Sequence, residues 1–131
     1  LAKKFSDIVV NDVIKSRWTG GVKLYLEKYY KTQVFVIVTA TPDEEIKYIL
    51  EKIGILNFFK FIYGSKFEKE KAIALTIKKL GIDKKDSILI GDSKSDFNSA
   101  QSNNINFALK LTDENKIFQE IYNGLKIKDF L

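Results

Sequence analysis

Val34-Phe35-Val36-Ile37-Val38 is the segment that most narrows what this chain can fold into. It is an unbroken apolar run, rich in β-branched residues, and too short for a buried helix. A strand of this kind is buried on both faces, which in a water-soluble fold means a parallel sheet covered by helices on either side. The pattern repeats downstream. Phe58 to Tyr63 and Ser87-Ile88-Leu89-Ile90 read as strands, and Ile105 to Leu109 as a last clear one. Helical patterns alternate with them: from about Asp43 to Ile53, with Thr41 as a possible cap and Gly54 as its stop, then Lys69 to Leu80 ended by Gly81, Asp96 to Asn103, and Glu114 to Tyr122. Strand and helix in regular alternation predict an α/β fold, a Rossmann-like three-layer α/β/α core around a mostly parallel sheet.

The N-terminal part reads differently. Phe5, Ile8, Val9, Val13 and Ile14 recur at helical spacing, which predicts a helix over Lys4 to Lys15. Gly20-Gly21 then breaks the pattern, and a second helix runs from Val22 to about Tyr30. The tail beyond Tyr122 carries no clear pattern.

Composition removes whole classes of chemistry. The 131 residues contain no cysteine and no histidine. Disulfides, thiol nucleophiles and thiolate metal sites are excluded, and so is the commonest general base. Catalysis must rest on carboxylates, hydroxyls, lysines and a hard, oxygen-seeking metal. The net charge is +5, but the lysines are scattered and no nucleic-acid motif accompanies them. No apolar run approaches the roughly 20 residues of a membrane helix, and no signal peptide is visible. The expectation is a cytoplasmic protein with no nucleic-acid or membrane partner.

In open parallel sheets, ligands gather at the carboxyl ends of the strands. Thr39 follows the first strand of the alternating series, Gly91-Asp92-Ser93-Lys94-Ser95-Asp96 follows the third, and Lys66, Lys69 and Lys71 lie near the start of the helix between them. A hydroxyl, a lysine and two carboxylates on one edge can hold a phosphate and a magnesium ion. Taken singly, each has a plainer role as a turn cap, a solvated lysine or a helix-capping acid.

Together these segments resemble the haloacid dehalogenase (HAD) superfamily, in its phosphatase-type branch. The run ending in Thr39-Ala40-Thr41-Pro42 resembles the second motif, Tyr63-Gly64-Ser65 with Lys69 the third, and Ile88 to Asp96 the fourth; the likeness covers roughly residues 18 to 110. The resemblance implies phosphoryl binding by Thr39, Ala40 and Lys69, with Lys66 and Lys71 as rivals for the lysine. It implies Mg2+ at Asp92 and Asp96, the first ligating and the second supporting the site. The activity implied is that of a magnesium-dependent phosphomonoester phosphatase acting on a small phosphorylated metabolite.

One part of the pattern is missing. The family opens with a strand ending in Asp-x-Asp, whose first acid attacks phosphorus and whose second serves as acid and base. No Asp-x-Asp occurs in this chain. The preferred explanation is a C-terminal fragment, inactive alone, whose nucleophile lies in a missing N-terminal segment. Residues 1–19 would then be the end of a helical cap or a linker to it, and residues 20–131 a core lacking its first strand. The rival explanation makes Ile8-Val9-Val10-Asn11-Asp12 a degenerate first strand with Asp12 as nucleophile, Ser16 further on, and Ile14 where the second acid should be. A binding module without a nucleophile remains the alternative from another functional class. A dehalogenase or phosphonate hydrolase on the same scaffold is a weaker one. A receiver domain is excluded by order, since the threonine precedes the Asp92 strand.

Overall fold

The computed structural model describes residues 7–10, 19–81 and 83–128. Eleven regular elements follow in order: β1 (Asp7–Val10), α1 (Thr19–Tyr29), β2 (Val34–Val38), α2 (Asp43–Lys52), β3 (Phe59–Tyr63), α3 (Lys69–Leu80), β4 (Ser87–Gly91), α4 (Lys94–Ser102), β5 (Asn106–Lys110), α5 (Lys116–Ile121) and β6 (Leu125–Ile127). Single 3-10 turns precede β3, β4 and α5. The strands form one six-stranded sheet in the order β3-β2-β1-β4-β5-β6, with every pair parallel.

The apolar run of β2 is buried on both faces, as its composition requires. Phe35 and Ile37 point to one side, joining Ile88 and Ile90 of β4, Val22 and Leu26 of α1, and Ile46 and Leu50 of α2. Val36 and Val38 point to the other, joining Leu89, Phe107 and Leu109 of the sheet, Ala72 and Ile73 of α3, Ala100 of α4 and Tyr122 after α5. Period-two alternation therefore feeds two separate cores and produces the three layers.

The largest correction concerns the N-terminal part. Asp7–Val10 is a strand, not the middle of a helix spanning Lys4 to Lys15, and it lies at the centre of the sheet. Val10 pairs with Ile37 of β2 and with Ile90 of β4. The expected core lacking its first strand is thus replaced by one whose central strand comes from this chain. The physical reason is that β2 and β4 each leave a ladder of backbone donors and acceptors to be paired, and that demand outweighs a four-residue stretch's helical spacing. Residues 4–6 and 11–15 of the expected helix, and with them Asp12 and Ser16, lie outside the described residues.

Smaller differences follow the same logic. Gly20-Gly21 falls within the first turn of α1 instead of preceding the helix. Pro42, not Thr41, stands at the N-cap position of α2, where no side chain makes a capping hydrogen bond. α4 begins at Lys94, and the expected helix from Glu114 to Tyr122 divides into a 3-10 turn and the six-residue α5. β6 is a sixth strand with no counterpart in the sequence reading.

Candidate functional site

The order of the sheet points to a candidate site before any side chain is considered. β1 is followed in sequence by β2 on one flank, while β4 lies on the other, so the strand order reverses beside β1. A crevice opens at the carboxyl ends of strands at such a reversal. Thr39 is the second residue after Ile37, and Asp92 the second after Ile90; both of those partners pair with Val10. Thr39 and Asp92 therefore mark the same edge on either side of β1, about 10 Å apart at the usual inter-strand spacing.

On the β2 side, Thr39 is buried, and its backbone N–H donates to the carbonyl of Tyr63 at 2.9 Å, extending the β2–β3 ladder by one residue. Its Oγ1 accepts the N–H of Thr41 at 3.2 Å and donates to Thr41 Oγ1 at 3.3 Å. The loop is thereby folded back on the Thr39 hydroxyl. Ser65 N–H in turn donates to the Thr41 carbonyl, joining this loop to the turn after β3. Ala40 is exposed at the tip.

On the β4 side, Asp96 organises the loop. It is fully buried and stands in the first turn of α4. Its Oδ1 accepts from Lys69 Nζ at 2.8 Å, and its Oδ2 accepts the N–H groups of Asp92 and Ser93, each at 3.2 Å. Ser93 completes a reciprocal capping box, its Oγ accepting the N–H of Asp96 at 3.1 Å. A buried carboxylate is tolerable only when its charge is paired and its lone pairs are used, and here both conditions hold. Gly91 is required by close approach: a Cβ there would lie 2.6 Å from Asp96 Cβ. Asp92 itself is half-buried at the loop's crest.

The lysine rivals separate. Lys69 reaches Asp96 and keeps 25% of its side chain exposed. Lys71 is turned outward to Glu68, with 78% of its side chain exposed, and Lys66 is exposed. Asp96, expected beside Asp92 as a metal residue, directs one oxygen to an ammonium and the other to two backbone N–H groups. Among the described residues, no group of three or more acids gathers as a metal cage.

The hydrogen-bonding roles of three residues went unnoticed in the sequence. Ser93 was legible as the start of a Ser-x-x-Asp capping pattern. Thr41 was read as a helix cap, although it serves Thr39. Asn115 had no signal, because it acts on residues far along the chain. Its Nδ2 donates to the carbonyls of Asp92 and Lys110, both at 2.8 Å. Its Oδ1 accepts from Thr112 N–H at 3.0 Å and from Gln119 Nε2 at 2.6 Å.

No helix among the described residues is long and apolar enough to cross a membrane. A comparison with curated proteins finds no match. Among solved structures, the fold is similar to the core domain of a candidate phosphoglycolate phosphatase from Streptococcus pneumoniae TIGR4, at 18% identity and a TM-score of 0.73, covering 95% of this chain and 88% of that one. It is also similar to a candidate phosphatase from Clostridium difficile (24% identity, TM-score 0.71, 82% of this chain and 54% of that one). A HAD-superfamily hydrolase of subfamily IA from Geobacter sulfurreducens PCA aligns at 12% identity and a TM-score of 0.69, again over 82% of this chain and 54% of that one. The chain thus spans about half the length of the two longer structures. The family model for haloacid dehalogenase-like hydrolases matches residues 2–110, from before β1 to the end of β5. A match that takes in the central strand, the Thr39 loop, Lys69 and the Asp92–Asp96 turn places this chain in the haloacid dehalogenase-like hydrolase family.

Proposed function

We propose that this chain is a magnesium-dependent phosphohydrolase acting on phosphomonoesters. The observation that carries the reading is the Lys69–Asp96 pair at 2.8 Å, which holds an ammonium group at the strand edge that Thr39 and Asp92 share. In this reading Thr39 Oγ1 and the Ala40 backbone donate to phosphoryl oxygens. Lys69 neutralises their charge. Asp96 positions Lys69 and, through two backbone N–H groups, the Asp92 loop.

The residues present fit a magnesium ion in one specific way. Magnesium keeps several waters and takes one or two protein carboxylates together with substrate phosphate. The half-buried Asp92 suits that role. Asp96, with both oxygens engaged, acts on the site by positioning. When bound, the ion supplies charge neutralisation at the phosphoryl oxygens.

The attacking group in this reading is Asp12. It lies outside the described residues, but in sequence it is the second residue after Val10, as Thr39 is after Ile37 and Asp92 after Ile90. Its carboxylate oxygen would form a bond to phosphorus as the bond to the leaving alkoxide breaks, giving an aspartyl phosphate that water then hydrolyses. Ile14 stands where the family has its acid–base aspartate. The leaving oxygen would therefore take its proton from solvent, and turnover would be slow, fastest for phenol-like leaving groups.

A second reading is supported by that same departure: a phosphate-binding module without turnover, whose nucleophile is supplied elsewhere or lost. One assay separates the two. The chain is incubated with p-nitrophenyl phosphate, with and without magnesium, beside Asp12→Asn and Asp92→Asn. Turnover that needs magnesium and disappears in both variants supports the hydrolase. Binding of inorganic phosphate by calorimetry with no turnover supports the module, and absence of both defeats the phosphate site itself.

A further inference from the structure

The Asp92 loop also borders a second feature, a groove of about 510 Å³ that runs from Asp92 and Ser93 to α5. Its volume is in the range of small-molecule sites. One wall is apolar, built from Ile117, Phe118 and Ile121. Phe118 is partly buried against the core, but Ile117 is 81% exposed and Ile121 64%. Nothing in the packing of the sheet requires isoleucine at either position, because neither contributes to a core cluster.

The two walls are fastened together. Asn115 donates to the Asp92 carbonyl on one side, and its carbonyl oxygen accepts from Thr112 N–H and Gln119 Nε2 on the other. Gln119 also donates to the Thr112 carbonyl at 2.8 Å. The groove is therefore set in shape before any ligand arrives, which lowers the entropic cost of binding. Besides Asp92, which this reading gives to the metal, its charged lining residues are Lys94 and Glu114, exposed and opposite in sign. They leave no net charge to attract a second anionic group.

From this arrangement we infer that the groove receives the organic part of the substrate, an uncharged apolar group such as an aryl or branched alkyl ester, while the phosphoryl end lies beyond Asp92. The assignment rests on the phosphohydrolase reading above, and it names a substrate class: apolar phosphomonoesters in preference to small acidic ones. Continuity supports it, since Asp92 and Ser93 belong to both the loop and the groove.

The test is binding rather than turnover, measured by calorimetry in magnesium buffer with naphthylmethylphosphonate and methylphosphonate. Neither compound is hydrolysed. The naphthyl compound is expected to bind at least roughly tenfold more tightly, the effect of moving a ring's apolar surface out of water. The double variant Ile117→Gln/Ile121→Gln, altered only at exposed positions, should lose that advantage and keep its affinity for methylphosphonate. Ile117→Leu should retain the advantage. Equal affinities for the two compounds, or a double variant that keeps the preference, would overturn the groove assignment and leave the phosphate site standing. Self-association of the chain that the double variant abolishes, with no preference between the compounds, would overturn it in favour of a second copy on this face. If neither phosphonate binds, the phosphohydrolase reading fails and the groove assignment with it.

Discussion

Lys69 and Asp96, brought from the first turns of two different helices, meet at 2.8 Å with Asp96 wholly buried and Lys69 a quarter exposed. Removing the carboxylate frees the ammonium and strips two backbone N–H groups of their acceptor. Breaking a fully buried pair costs roughly 3–5 kcal/mol. Lys69 can rehydrate, so the lower end applies, and Asp96→Ala is expected to destabilise the fold by about 3 kcal/mol. Urea denaturation of the variant beside the parent measures this. A loss under about 1 kcal/mol would mean that the pair is not formed in solution.

Gly91→Ala tests the close approach of β4 to α4. The added methyl would meet Asp96 Cβ at 2.6 Å and its Cγ at 2.7 Å. Asp96 cannot swing aside without giving up three hydrogen bonds. The expected penalty is about 1–3 kcal/mol, and phosphate binding should weaken along with stability. Ala at this position with phosphate affinity unchanged would show that the Asp96 geometry is not needed by the site.

Asn115→Ala separates loop position from loop chemistry. It removes two donors and an acceptor without touching a carboxylate or the Lys69 ammonium. Buried groups left without partners cost about 1–3 kcal/mol. Magnesium affinity, read by calorimetry in the presence of inorganic phosphate, should fall several-fold as the Asp92 carbonyl is released. Stability loss with magnesium affinity preserved would restrict Asn115 to a structural role.

Tyr25 provides a pH signature remote from the site. Burial pushes its phenol up to about 12, partly opposed by the hydrogen bond to Gln33 and reinforced by neighbouring Tyr29. A group whose folded value is raised holds its proton more tightly in the folded state. Its contribution to stability is complete below the unfolded value of about 10 and is lost as pH rises toward about 12. Tyr25→Phe should therefore show a shallower alkaline loss of stability over that window. Parallel curves for parent and variant would show that the phenol is not perturbed.

Several elements were legible because their signal is local. β2 and β4 announce themselves as apolar runs since both faces are buried, and α3 carries its own stop at Gly81, which takes the left-handed conformation that ends the helix. Thr39, Asp92 and Asp96 were marked by strand ends and motif spacing, with Lys66, Lys69 and Lys71 left as rivals for the lysine beside them. β1 was misread because four residues within a helically spaced stretch carry too little pattern to outvote it. β6, three residues long, is a strand only by virtue of β5 beside it.

The α/β class, the chemistry available in a chain without cysteine or histidine, and the strand edge that carries the candidate residues were all legible in local sequence patterns. Tertiary structure decided the rest. It made Asp7–Val10 the central strand, because two flanking ladders needed a partner. It brought Lys69, and neither Lys66 nor Lys71, to the buried Asp96. It brought in Asn115, distant in sequence, to tie the Asp92 loop to the end of β5. Each of these outcomes depends on pairing between segments far apart along the chain, a quantity that no local spacing of residues encodes.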